Sequence, residues 1–193
     1  MRSVCVFCGA KTGGSPVYVE KAQELGRLLV KEDIELVYGG GSIGLMGTIA
    51  TAVMEAGGRA VGVIPKFLDE MEIGHTGITH LILVDSMHQR KQKMEAISEG
   101  VIAMPGGFGT LEELTEIITW AQLKLVKKPI GLLNVNGYYD PLLKFVDHML
   151  EEGFLSEANR ELLMSNPDPE ALLAEMKEYH AMEGTRQMKP NQT

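Results

Sequence analysis

The sequence predicts a three-layer α/β/α fold in a single domain, one parallel β-sheet flanked by helices on both faces. Short β-rich runs alternate with segments of helical period along most of the chain, the order that builds a parallel sheet. The runs are continuously apolar, as in Val101-Ile102-Ala103-Met104, which suits strands buried on both faces. Glycine-rich turns stand at the C-terminal ends of three of these runs, where such sheets bind ligands. At 193 residues, 45% apolar and 23% charged, the chain has the size and composition of one globular domain.

The first expected strand is Ser3 to Cys8, too short for the apolar core of a secretory signal. It carries both cysteines, Cys5 and Cys8. Residues three apart on a strand point to opposite faces, so no redox or metal pair is expected of them. A turn, Cys8-Gly9-Ala10-Lys11-Thr12-Gly13-Gly14-Ser15, leads to a helix over 16–31. The second strand, Glu35 to Tyr38, runs into Gly39-Gly40-Gly41-Ser42-Ile43-Gly44 and a helix over 44–56. Strands at Ala60 to Ile64 and His80 to Val84 follow, then a helix over 87–98. Val101 to Met104 is the fifth strand, followed by a helix over 110–125. Ile130 to Leu133 is the sixth, followed by a helix over 139–151. Asn166-Pro167-Asp168-Pro169 introduces a last helix over 168–178. The domain is expected to span residues 1–179, and the polar stretch 180–193 to be a disordered tail.

A formal net charge of −8 argues against a nucleic-acid polymer as partner, since such surfaces are basic. No apolar run is long enough to span a bilayer, so no membrane role is expected and the cytoplasm is the default location. The five histidines show no metal-ligand spacing, and no metal is expected.

The turn Pro105-Gly106-Gly107-Phe108-Gly109-Thr110-Leu111-Glu112-Glu113 is the most informative stretch. Three glycines let a backbone approach a ligand closely, and the first helical N–H groups stand unpaired, so the turn suits a phosphate or a carboxylate. Glu113 is expected one turn into the helix, beside that anion. The same letters also spell a capping box, with Thr110 as the cap and Glu113 reaching back to it.

Gly39-x-Gly41-x-x-Gly44 matches the dinucleotide fingerprint. It follows the second strand rather than the first, however, and lacks the acidic residue about 20 positions on, so a nicotinamide or flavin nucleotide is not expected. Met87-His88-Gln89-Arg90-Lys91-Gln92-Lys93 puts cations into a first helical turn, against the helix dipole, which hints at an anion to answer them. Arg90 has the fork geometry for a phosphate and Lys91 adds a point charge.

These three stretches together resemble the Lonely Guy (LOG) family of cytokinin-activating phosphoribohydrolases. Ile118-Thr119-Trp120-Ala121-Gln122 and Gly131-Leu132-Leu133-Asn134-Val135-Asn136-Gly137-Tyr138-Tyr139 resemble it too, and the likeness covers roughly residues 2 to 178. The resemblance implies a Rossmann-like sheet, a homodimer, and no metal or organic cofactor. The implied reaction is hydrolysis of the N-glycosidic bond of an N6-modified adenosine 5′-monophosphate, releasing the free base and ribose 5-phosphate. Arg90 and Glu113 match the catalytic pair. Glu72, Arg90, Lys91, Gly107, Phe108, Gly109, Thr110, Leu111, Glu112, Glu113 and Thr119 match substrate positions. Gly9, Gly40, Gly41 and Met87 are further candidates for phosphate or sugar contacts. Where the family often has Cys-Gly-Ser-Ser, this chain has Cys8-Gly9-Ala10-Lys11, which removes two hydroxyls and adds a cation.

The chemistry suits these side chains. Cleavage of a C1′–N bond develops positive charge on the ribose, which a carboxylate such as Glu113 stabilises while it orients or deprotonates water. Arg90 stays protonated, which leaves it a positioning role. Although the family has been labelled lysine decarboxylase-like, neither Lys66 nor Lys91 has the setting of a Schiff-base lysine. The competing reading is a non-catalytic carrier of a nucleotide or of molybdenum cofactor on the same fold. Met94, Ile117, Trp120 and Leu123 are candidates for a dimer face.

Overall fold

The computed structural model describes residues 1–72 and 74–187, with the backbone alone for residues 71, 72 and 183–187. The chain runs β1 (Ser3–Phe7), α1 (Pro16–Lys31), β2 (Glu35–Tyr38), α2 (Gly44–Glu55), β3 (Ala60–Pro65), α3 (Lys66–Glu72), β4 (His80–Val84) and α4 (Met87–Ala96). It continues through β5 (Gly100–Ala103), α5 (Phe108–Gln122), β6 (Ile130–Leu133), a 3-10 turn (Val135–Gly137), α6 (Asp140–Glu151), α7 (Glu157–Arg160), β7 (Leu163–Asn166) and α8 (Pro169–Gln187). Among the described residues no helix is long and apolar enough to cross a membrane.

Seven strands pair in parallel in the order β4-β3-β2-β1-β5-β6-β7. The chain builds outward from β1 to β4, then returns to lay β5 against the free edge of β1, with Cys5 opposite Val101 and Phe7 opposite Ala103. That reversal opens a crevice above the C-terminal ends of β1 and β5, where the turns after Phe7 and Ala103 diverge.

Strand alternation divides the core into two layers. Val4, Val6, Cys8, Leu36, Tyr38, Ile102 and Met104 pack on one side with α1, α2 and α8. Cys5, Phe7, Val37, Val63, Val101 and Ala103 pack on the other with Met94, Leu114 and Ile117. Cys5 and Cys8 therefore lie in opposite layers as free thiols, and burial pushes both pKa values up, which keeps them protonated.

Local chemistry fixes the helix starts that matter for the crevice. Ser86 caps α4, its hydroxyl accepting from the Gln89 N–H at 3.2 Å, while Gln89 Oε1 accepts from the Asp85 N–H at 2.8 Å. Asp168 caps α8 through the Ala171 N–H at 2.8 Å.

The sequence reading needs several corrections. It missed α3, α7 and β7. β7 is an edge strand in which only Leu163 is fully buried, so it lacks the apolar run that marks the others. The helix expected over 110–125 begins at Phe108 and stops at Gln122, and Lys124 then adopts a left-handed φ of 60°. Residues 180–187, expected in the tail, continue α8, while 188–193 lie outside the described residues. Met94 and Ile117 are core residues, 1% and 3% exposed, and cannot belong to a dimer face; Leu123, at 61%, is free to.

Candidate active site

Arg90 and Glu113 meet at the floor of the crevice. Both are charged residues with more than nine-tenths of their surface buried, at 8% and 9% exposure. Arg90, one turn into α4, reaches over the ends of β2 and β3. Its Nε donates to the Val63 carbonyl and its Nη2 to the Gly39 carbonyl, each at 3.1 Å. Its Nη1 lies 3.6 Å from Glu113 Oε1 and 3.9 Å from Met87 Sδ. The guanidinium is thus fixed by backbone on one edge and offers the other to the carboxylate.

Gly39 makes this possible. A Cβ there would sit 1.9 Å from Arg90 Nη2, so any side chain would evict the guanidinium. Gly39 was missed among the site residues. Its glycine run was visible, but the partner that demands it lies 51 positions away.

Glu113 projects from α5 into the same cavity, about 310 Å³, lined also by Phe7, Cys8, Met46, Leu68 and Met87. Burial pushes its pKa up to about 7, against the opposing pull of Arg90, with the neighbouring Glu112 adding to the rise. A carboxyl poised near neutrality can exchange a proton at physiological pH.

The α5 start is not a capping box. Gly107 is the N-cap and makes no side-chain bond, Thr110 lies within the first turn at 5% exposure, and Glu113 is too far along to reach back. The N–H groups of Phe108, Gly109 and Thr110 are the first-turn donors that a helix leaves without partners of its own. The turn before them is clamped. Gly9 N–H donates to the Pro105 carbonyl at 3.1 Å, and the Tyr138 hydroxyl donates to the Gly106 carbonyl. A Cβ on Gly106 would meet Thr110 Oγ1 at 2.1 Å.

The α2 start is different. Its Leu45 N–H is taken by the Gly9 carbonyl at 3.0 Å, and a Cβ on Gly44 would lie 2.2 Å from the Ala10 backbone. The Gly39–Gly44 turn thus packs against the protein's own first turn. Gly40 and Gly41 are buried off the cavity wall, Gly40 with φ +78° and Gly41 bridging Gly74.

The remaining expected residues fall as follows. Gly9, Met87, Gly107, Gly109, Thr110 and Glu112 line the cavity with the pair. Phe108 is 93% exposed and Leu111 37%, both beside a further hollow walled by Tyr138 and Tyr139 that shares Gly107 and Thr110 with the cavity. Lys91 turns to α5, where its Nζ lies 2.5 Å from Glu112 Oε1 and 3.0 Å from Glu116. Thr119 is exposed, its hydroxyl bonded to the Thr115 carbonyl at 2.8 Å, about 9 Å beyond Glu113 along the helix. The side chain of Glu72 lies outside the described residues. Among the described residues no group of three or more His, Cys, Asp or Glu side chains could hold a metal.

A second cavity of about 450 Å³ adjoins the first and shares Gly9, Ala10 and Gly107 with it. Tyr18 and Tyr138 wall it, ring edge to face at 6.1 Å, and Lys11 lines it.

A family model described as "Possible lysine decarboxylase" matches residues 46–176. The chain is 49% identical over 178 residues to the probable cytokinin riboside 5′-monophosphate phosphoribohydrolase LOGL2 of Oryza sativa subsp. japonica, covering 92% of this chain and 73% of that protein. It is also 49% identical to the cytokinin riboside 5′-monophosphate phosphoribohydrolase LOG3 of Arabidopsis thaliana, covering 92% and 83%. Among solved structures, the molybdenum cofactor carrier protein of Chlamydomonas reinhardtii superposes with a TM-score of 0.70 at 23% identity, over 94% of this chain and 98% of that one, a likeness of fold alone. The chain belongs to the Lonely Guy family that these relatives and the matching model represent.

Proposed function

We propose that this member of the Lonely Guy family is a phosphoribohydrolase that cleaves the N-glycosidic bond of an N6-modified adenosine 5′-monophosphate. The observation that carries the reading is the buried Arg90–Glu113 contact of 3.6 Å beside the open start of α5. The substrate's phosphate sits toward the Gly107 to Thr110 N–H groups, and its C1′ faces Glu113. As the C1′–N bond breaks, the electron pair leaves with the base and the ribose becomes oxocarbenium-like. The ionised Glu113 stabilises that charge and accepts a proton from the attacking water, whose oxygen bonds to C1′. Overall the base gains one hydrogen of the water and C1′ gains the hydroxyl. Arg90 holds Glu113 and the sugar in place and transfers no proton.

Decarboxylation of lysine does not suit these side chains. A Schiff-base lysine must reach a neutral amine. The Asp85 carboxylate 2.7 Å from Lys66 holds its ammonium above the usual lysine range. Burial opposes the charge on Lys91, but Glu112 and Glu116 outweigh it and raise its pKa as well.

A homodimer is part of this reading. α6 buries none of its residues fully, and Phe145 on α6, with Phe108, Leu111 and Leu123 on or just after α5, is left exposed. Light scattering is expected to give twice the chain mass of 21.1 kDa, and a single-chain mass would overturn the claim.

The test of the reaction is chromatography after incubation with isopentenyladenosine 5′-monophosphate and, separately, AMP. The wild type is expected to release free base and ribose 5-phosphate, and Glu113→Gln to release neither. Tight nucleotide binding with no product over hours would instead support a carrier.

A further inference from the structure

The two cations that flank the motif are both engaged inside the protein. The Arg90 donors are directed to Val63, Gly39, Met87 and Glu113, and the Lys91 ammonium lies between two carboxylates. The open start of α5 therefore lacks a cation from either. Among the described residues Lys11 is the one charged residue lining the 450 Å³ cavity, it is exposed, and it forms no ion pair. Among the described residues no carboxylate lines that cavity. The rest of its wall includes the backbone of the Gly9–Gly13 and Pro105–Gly107 turns and the phenol rings of Tyr18 and Tyr138. It adjoins the cavity of Arg90 and Glu113 along the shared residues Gly9, Ala10 and Gly107.

We propose that Lys11 is the cation that recognises the 5′-phosphoryl group, and that it sets the preference of this chain for nucleoside monophosphates over nucleosides. The proposal rests on the phosphoribohydrolase reading and extends it to the direction in which substrate lies. The phosphoryl end enters the Lys11 cavity beside Gly106 and Gly107, C1′ comes to Glu113, and the base extends toward Met87 and Leu68. An ammonium on a flexible stem suits a phosphoryl group, offering three donors and a compact charge without a fixed angle of approach. At this chain position a hydroxyl donor would contribute only a neutral hydrogen bond, roughly half as strong.

The test compares wild type, Lys11→Met and Lys11→Arg on isopentenyladenosine 5′-monophosphate and on isopentenyladenosine. Lys11 is exposed, so the thermal midpoints of all three are expected to agree. Lys11→Met is expected to raise KM for the monophosphate about tenfold to a hundredfold, the range of one charge-assisted hydrogen bond. The kcat/KM ratio of monophosphate to nucleoside is expected to fall by the same factor. Lys11→Arg is expected to stay within about threefold of wild type, because the charge is kept. An unchanged KM in Lys11→Met would overturn the proposal while leaving the reaction standing. Should wild type cleave no nucleotide, the reaction fails, and the anion site is read by thermal protection with inorganic phosphate. Protection lost in Lys11→Met would uphold the phosphoryl site, and equal protection in both would refute it.

Discussion

Gly39→Ala is the sharpest test of how the pair is held. The new methyl carbon would stand 1.9 Å from Arg90 Nη2, 3.1 Å from Arg90 Cζ and 3.0 Å from Met46 Sδ. Ordinary contact begins near 3.5 Å, so the guanidinium must retreat by roughly 1.5 Å. Met46 on the other side keeps the methyl from turning away. The retreat breaks the 3.1 Å bond to the Gly39 carbonyl and shifts the Nη1 that faces Glu113. A misplacement of about 1 Å at a reacting centre costs on the order of a hundredfold in rate. We therefore expect kcat to fall at least about a hundredfold, a barrier increase of roughly 2.7 kcal/mol.

Stability should drop by about 1–3 kcal/mol, the usual cost of overpacking. Gly40→Ala separates the two effects. Gly40 has φ +78° and packs on Ile64 and Leu81, so alanine there strains the backbone without meeting Arg90. The assay is steady-state base release by both variants alongside urea unfolding. A folded Gly39→Ala with kcat within threefold of wild type would refute the account, as would an equal kcat loss in both variants.

Other consequences follow from the same geometry. The Glu113 pKa of about 7 stands above the ~4.3 of an unfolded glutamate, so its stabilising contribution is full below pH ~4.3 and is lost as pH rises through 7. Glu113→Gln removes that dependence, and between pH 5 and pH 9 its urea stability should gain roughly 3 kcal/mol relative to wild type; a constant gap would count against the raised pKa. Since the ionised carboxylate is the working form, wild-type kcat should rise with pH through about 7, and a flat profile from pH 5 to 8 would remove Glu113 from that role. Tyr139→Phe orphans the buried Met104 carbonyl, which accepts from the Tyr139 hydroxyl at 2.6 Å, and should cost about 1–2 kcal/mol in urea unfolding. An unmoved midpoint would show that the bond contributes nothing. Gly106→Ala drives a methyl into Thr110 Oγ1 at 2.1 Å, so KM for monophosphates should rise by tenfold or more; an unchanged KM would mean that this turn does not hold the phosphate.

The sheet was legible because six of its strands are nearly continuous apolar runs, and only β7, polar at Ser165 and Asn166, escaped. The start of α5 reads two ways from sequence for a chemical reason. Thr110-Leu111-Glu112-Glu113 has the letters of a capping box, but Gly107 already occupies the cap, and the carboxylate is buried against Arg90. A sequence window cannot separate the two, since both put a carboxylate three positions after a threonine. Arg90 and Glu113 stand out in the sequence near the starts of helices that follow strands, yet their meeting depends on strand order: β5 must lie beside β1, and α4 must reach over β3. Gly39 was hidden for the same reason, because its constraint comes from a side chain on another element.

The placement of Arg90 also changes the meaning of its unfavourable position. A cation in a first helical turn opposes the dipole, and read from sequence alone that called for an external anion. In the folded chain the answer is internal. The carbonyls of Gly39, just beyond β2, and of Val63, within β3, accept two of its donors, and Glu113 provides the countercharge. Arg90 is thus held in place by the protein itself, and on the proposed reaction little reorganisation is left for the chemical step. The same arrangement leaves Arg90 with little to offer a phosphate. On the proposed reaction, recognition of the phosphoryl end then falls to the α5 N–H groups and to Lys11, while the pair below is kept for the glycosidic bond. This division predicts separable defects: substitutions at Gly39 or Glu113 lower kcat, whereas those at Gly106 or Lys11 raise KM.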